Sequence, residues 1–259
     1  MIHKGYIDIS AGQIHYARRD GEGVAIVCFH QTASSGASYH RIMRAAGLAN
    51  PIYALDTPGF GGSFEPEGMP AFEQYAAWLF EALAALGIDE FYAMGHHTGA
   101  GLCVEMAARH AASVKGMILI GAYPLTSEER EEFRQHFSAP IAPTEDGEYL
   151  MTTWRYLAGL GAKADLDLHH RELLHHVRAY AGRHRTYSAV WDYDFTTPYK
   201  NARCPILLMA AKDDMLFPYL ERAQTLQPGA QTAEVTGANF EPDLDADTIV
   251  AALSNFVPQ

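Results

Sequence analysis

The chain is poor in cysteine and in basic charge, and it has no long apolar run. Its three cysteines, Cys28, Cys103 and Cys204, are odd in number, widely spaced and set in apolar stretches such as "VCFH" and "GLCVEMAA". That pattern speaks against a disulfide framework and for buried thiols. Only 19 Lys and Arg stand against 31 Asp and Glu, a formal charge of −12. Binding to phosphate-rich partners needs clustered basic residues, and none is visible, which argues against a nucleic acid or an anionic membrane as partner. No stretch has the length of a bilayer span, and the opening "MIHKGYIDISAGQ" has no basic segment followed by an apolar core. A cytoplasmic location is expected.

What is present is the composition of an ordinary globular domain, 48% apolar and 19% charged over 259 residues, enough for one sizeable core. Two alternating stretches, 6–10 and 13–18, open the chain and lead through the turn "DGEG" into an apolar strand over 24–29. Strands at 52–55, 90–94, 115–120, 206–210 and 232–235 then alternate with helices at 72–86, 98–110, 219–226 and 245–256. Apolar strands separated by helices predict an α/β fold with a mostly parallel sheet covered on both faces. Between 124 and 203 no strand pattern appears, and Glu, Arg, His, Tyr and Trp recur at helical spacing. The reading is a core of 1–123 and 204–259 with an inserted helical cap at 124–203.

One turn joins strand to helix in the sequence "YAMGHHTGAG", residues 92–101. Gly95-His96-His97-Thr98-Gly99 matches G-x-S-x-G except at its centre, and that motif holds the central residue on a strained strand-to-helix turn above the sheet. Four further stretches keep it company: "CFHQTASSG" (28–36), "DTPGFGGS" (56–63), "AAKDDMLFP" (210–218) and "VTGANFEP" (235–242). In order and spacing the five resemble the landmarks of the α/β-hydrolase family, and the resemblance runs over essentially the whole chain.

The resemblance implies an oxyanion loop at 28–36, with His30 orienting it and backbone N–H groups of Thr32 and Thr98 facing a developing oxyanion. It puts Asp214 at the acid position of the triad. It also exposes the departures: His97 stands for the serine nucleophile, Asn239 for the general-base histidine, and Gln31 for a glycine of the oxyanion loop. A Ser-His-Asp mechanism needs a hydroxyl, an imidazole and a carboxylate, and two of those positions are changed. One reading pairs the changes: the imidazole has moved to the elbow, where His97 contacts Asp214 or Asn239 and acts as general base or acid, or as a nucleophile. The site is then His97, Asp214 and Asn239, with Gln31, Thr32, Thr98, His30 and His96 around the oxyanion and the substrate. The activity implied is general acid/base chemistry on a small ester, lactone, thioester or carbon–carbon bond next to a carbonyl. A lyase, isomerase or cyclase, and an inactive small-molecule-binding protein in which His97 is a relic, stay open as alternatives.

Several other residues have bland readings. Asn239 suits a turn, Asp56 and Ser63 a structured loop, Asp213 a helix cap, and His96 a packing contact. Glu241 and Asp243 read as solvated loop acids, with a displaced catalytic carboxylate as the other choice. The cap histidines, His169, His170, His175, His176 and His184, lack the spacing of a helical zinc pair, and His30, His96 and His97 form a second conceivable cluster. No metal and no cofactor are expected. The cap aromatics, among them Trp154, Tyr187 and Trp191, suit a pocket for a small hydrophobic or aromatic substrate, and equally suit plain packing. The partner expected is a small-molecule substrate, and a homodimer stays open.

Overall fold

The computed structural model describes residues 1–258. Its sheet has eight strands: β1 (Ile2–Ile9), β2 (Gly12–Arg19), β3 (Ala25–Phe29), β4 (Ile52–Leu55), β5 (Phe91–His96), β6 (Val114–Ile120), β7 (Ile206–Ala211) and β8 (Gln231–Val235). They lie in the order β1-β2-β4-β3-β5-β6-β7-β8. β2 pairs antiparallel with β1 and β4, and the strands from β4 to β8 run parallel. β1 begins four residues before the alternation in the sequence, because its exposed first residues are recruited by pairing, from Ile2 against Arg19 to Ile9 against Gly12.

Among the described residues eleven α-helices accompany the sheet: α1 (His40–Arg44), α2 (Phe72–Ala85), α3 (Thr98–Arg109), α4 (Ser127–Phe137), α5 (Glu148–Gly159), α6 (Leu166–Arg178), α7 (Tyr180–Asp192), α8 (Thr196–Asn201), α9 (Leu220–Leu226), α10 (Glu241–Leu244) and α11 (Ala246–Phe256). The strand period of two decides the layering. Along β3, Val27 and Phe29 join one core with Phe72, Tyr75 and Leu79 of α2 and Leu102 and Met106 of α3. Ile26 and Cys28 join the other, with Ile42 and Met43 of α1 and Ile249, Val250 and Leu253 of α11. A strand apolar on both faces is thus covered on both. Cys28 and Cys103 are buried free thiols, and Cys204 is half-buried.

α4 to α8 all lie between β6 and β7, with no strand among the described residues of that stretch. Polar contacts fasten this insertion to the loops of the sheet. The Tyr187 hydroxyl donates to the Thr32 carbonyl at 3.1 Å, and Ser34 Oγ donates to Glu172 Oε1 at 3.0 Å. Arg171 forks onto Asp243, at 2.8 and 2.6 Å, and also reaches Glu172 Oε1 at 2.8 Å. Asp243 is therefore a buried ion-pair partner and not a solvated loop acid. The fork satisfies two carboxylates with one planar group, the geometry at which Arg exceeds Lys.

Candidate active site

The elbow between β5 and α3 holds His97 at φ 48°, ψ −110°, a left-handed conformation that costs a residue with a side chain about 1–3 kcal/mol. The residues two positions to either side must be glycine. A Cβ on Gly95 would lie 2.1 Å from the Gly99 carbonyl oxygen, and one on Gly99 would lie 1.9 Å from that of Phe29. The end of β6 yields as well: a Cβ on Gly121 would lie 2.3 Å from His97 Cδ2. Gly121 belongs to none of the five landmark stretches, and its one signal in the sequence is a glycine directly after a parallel strand.

The turn delivers the imidazole to the acid loop after β7. His97 Nε2 lies 2.9 Å from Asp214 Oδ2, and both side chains are largely enclosed. Asp214 Oδ1 accepts the Leu216 N–H at 2.7 Å. An ionised carboxylate accepts only, so the His97 hydrogen that meets Asp214 is on Nε2. Nδ1 has no partner among the described residues. Burial pushes the Asp214 carboxyl up, but attraction to His97 and the hydrogen bonds from His97 and Leu216 outweigh it and hold the group down at about 2.

A depressed carboxylate contributes stability that is complete above the ordinary Asp range, near 4, and is lost as the pH falls through the folded value. Acid unfolding of the parent should therefore steepen between about pH 4 and 2. Asp214→Asn should flatten that part of the curve. Overlapping acid-denaturation curves of the two proteins in that window would count against the assigned charge state.

Two more groups complete the cluster. Glu241, at the start of α10, is fully buried, and its Oε2 lies 3.1 Å from His96 Nε2. Its Oε1 accepts the Ala211 N–H at 3.1 Å. The solvated reading of Glu241 fails because its side chain is enclosed between His96 at the end of β5 and Ala211 at the end of β7. Burial, and then the charge of Asp214, push its carboxyl well above the usual range. Burial and the neighbouring His97 hold His96 well below the usual histidine value, so it is neutral. The two imidazoles lie 4.3 Å apart, centroid to centroid.

The other residues expected at the site are placed as follows. His30 Nδ1 faces the Gln31 carbonyl at 2.8 Å, and its Nε2 accepts the Thr57 N–H at 3.0 Å. Both nitrogens are committed, so His30 braces the loop and stands apart from His96 and His97. The Gln31 side chain donates to the Asn239 carbonyl at 2.9 Å. Asn239 turns its amide to the Leu160 carbonyl, at 3.2 Å, and to the Met215 N–H, at 3.4 Å, and not to His97. The N–H groups of Thr32 and Thr98 have no protein acceptor among the described residues; that of Thr98 is free as the first of a helix. His97 and Thr98 line a cavity with Tyr123, Phe133, Phe137, Tyr187, Trp191, Met215 and Leu216. At about 30 Å³ it has room for water and not for a substrate.

A family model for the alpha/beta hydrolase fold matches residues 24–236. The chain belongs to the α/β-hydrolase fold family. Within that family it is 24% identical, over 99% of its own length and 97% of the relative's, to an N-formylmaleamate deformylase of Pseudomonas putida. Its fold is similar to that of an enol-lactonase from Burkholderia xenovorans, with TM-score 0.80, 18% identity and 97% and 99% of the two chains covered. It is equally similar to that of E-2-(acetamidomethylene)succinate hydrolase, with TM-score 0.80, 19% identity and 99% of each chain covered. These relatives are hydrolases of small carbonyl compounds by name. As in other α/β-hydrolase folds the sheet is eight-stranded and mostly parallel with helices on both faces, and no described helix is long and apolar enough to cross a membrane.

Proposed function

We propose that this chain hydrolyses a small carbonyl compound, an ester, lactone, thioester, amide or carbon–carbon bond next to a carbonyl, with His97 as the proton-transfer group. The observation that carries the reading is the 2.9 Å contact between His97 Nε2 and Asp214, which fixes the tautomer and leaves Nδ1 as the base. Positions 97 and 239 hold His and Asn where the family motif calls for Ser and His. Chemistry through a serine hydroxyl has no residues to run on there.

In this reading Nδ1 removes a proton from a water molecule in the cavity as the water oxygen attacks the carbonyl carbon. The carbonyl π electrons move onto oxygen, where the N–H groups of Thr32 and Thr98 face the charge. Collapse of the adduct breaks the bond to the leaving group, which takes the proton back from Nδ1. Asp214 stays ionised and stabilises the transient imidazolium. Asn239, Gln31 and His30 hold the loops, and His96 packs beneath His97.

The helical insertion acts as a cap over this site. Substrate displaces Phe133 and Phe137 of α4, a helix with no fully buried residue and therefore little packing to lose. The aromatic lining favours a small hydrophobic or aromatic substrate. The names of the relatives support amides and enol lactones as the first compounds to try. Turnover in ¹⁸O-labelled water tests the reaction class. Hydrolysis places one labelled oxygen in the acid product per turnover, and turnover without label would rule it out.

A further inference from the structure

Two carboxyl groups meet beneath His97, and the sharing of a proton between them extends the reading of that residue as base, on which the following rests. Asp214 and Glu241 are buried neighbours, with carboxyl oxygens within 4.8 Å of one another and a side-chain hydrogen bond between them. No Arg or Lys pairs with either among the described residues. Two adjacent buried carboxylates cannot both keep a full negative charge, so one proton is held between them.

The donors around each group decide which one carries it. Asp214 receives two, the His97 Nε2–H at 2.9 Å and the Leu216 N–H at 2.7 Å. Glu241 receives one, the Ala211 N–H on Oε1. Glu241 Oε2 has no hydrogen-bond partner as an acceptor, and His96 Nε2, though 3.1 Å away, is poorly aligned with it. As O–H, that oxygen finds an acceptor in Asp214. The other groups facing it do not compete: the same misalignment bars His96 Nε2 as an acceptor, and the Tyr39 hydroxyl is committed to the Phe29 carbonyl at 2.7 Å.

We propose that Glu241 is a positioning residue of this site, donating an O–H···O⁻ hydrogen bond from Oε2 to the Asp214 carboxylate that His97 leans on. The bond fixes the rotamer of Asp214 and draws charge from it. The imidazolium formed during turnover is then less tightly held, and His97 returns its proton more readily to the leaving group.

The test has one spectroscopic and one kinetic arm. At neutral pH the infrared spectrum of the parent protein should contain the carbonyl stretch of a buried protonated carboxyl group, and Glu241→Gln should remove it. This reading needs no substrate, so it fails or holds independently of whether His97 is a base. Kinetically, Glu241→Leu removes the donor. It should lower kcat by about tenfold to a hundredfold, the size of a lost hydrogen bond to a charged group, with KM little changed. The acid limb of its pH profile should move to higher pH, because a bare Asp214 charge stabilises the imidazolium. Glu241→Gln keeps an N–H for Asp214 and an oxygen for Ala211, and should recover most of that loss.

Absence of the infrared band, or equal damage from Gln and Leu, overturns the proposal, and the Gln variant keeps it decidable if the Leu variant does not fold. Donor atoms of His96, His97, Asp214 and Glu241 all lie within 4.8 Å of one another. Metal analysis of the purified parent is therefore included. One tightly held divalent ion per chain, lost in Glu241→Gln, would make Glu241 a ligand and overturn its role as a donor.

Discussion

Replacement of His97 by alanine is expected to lower turnover by about a hundredfold to ten-thousandfold, the range for losing a positioned general base, while the circular dichroism spectrum and the unfolding midpoint change little. The loss is confined to the Asp214 carboxylate, which gives up the His97 hydrogen bond and keeps those of the Leu216 N–H and Glu241. If Asp214 acts only through His97, then His97→Ala combined with Asp214→Asn should be scarcely slower than His97→Ala alone, because residues that act as a unit are strongly non-additive. Added imidazole should restore part of the activity of His97→Ala by occupying the vacated space beside Asp214. Undiminished turnover in His97→Ala would end the reading of this residue as the base, whatever the substrate proves to be.

The second large effect is structural. Gly99→Ala puts a Cβ 1.9 Å from the carbonyl oxygen of Phe29, 2.6 Å from its carbonyl carbon and 3.2 Å from the carbonyl oxygen of His30. All three atoms are main chain, at the end of β3 in the middle of the sheet, so no rotamer change relieves the overlap. Either α3 shifts away from β3 or the strand end moves. The expected loss exceeds about 3 kcal/mol, beyond the usual range for overpacking, and urea denaturation would show it as a large fall in the midpoint. Gly159→Ala is the control: nothing lies within 4 Å of its Cβ at the end of α5, and its stability should rise or stay level by at most about 1 kcal/mol. A Gly99→Ala protein as stable as the parent would mean that the elbow is looser than its geometry requires.

These two residues also show how much of the fold is legible in the chain. Gly99 is legible because a strand-to-helix turn flanked by glycines has few physical explanations, and His97 because the centre of such a turn projects its side chain above the sheet. The sheet itself is legible from period: β3, β5, β6 and β7 are apolar on both faces and bounded by turns, and α2, α3 and α11 carry apolar residues three and four apart. The full length of β1 is not, because its first residues are held by pairing with β2 and not by any apolar alternation of their own. The insertion is legible only as an interruption of the strand pattern, and its five helices take their bounds from packing and capping, as in the box formed by Thr126 and Glu129 at the start of α4.

The site divides along the same line. The order of residues is enough for the family landmarks, the imidazole at the elbow, Asp214 in the acid loop and the lack of a hydroxyl at position 97. It takes the packed fold to bring His97 to Asp214 and not to Asn239, to occupy His30 and Gln31 in bracing loops, and to draw Glu241 into the cluster while Asp243 pairs with Arg171. The reason is one of distance along the chain. Periodicity and turn chemistry act over a few residues, so they fix elements and place the elbow. The choice of partner for a charged or polar side chain depends on which loops the sheet brings together, and His97 and Asp214, 117 residues apart, become neighbours only because β5 and β7 lie on either side of β6.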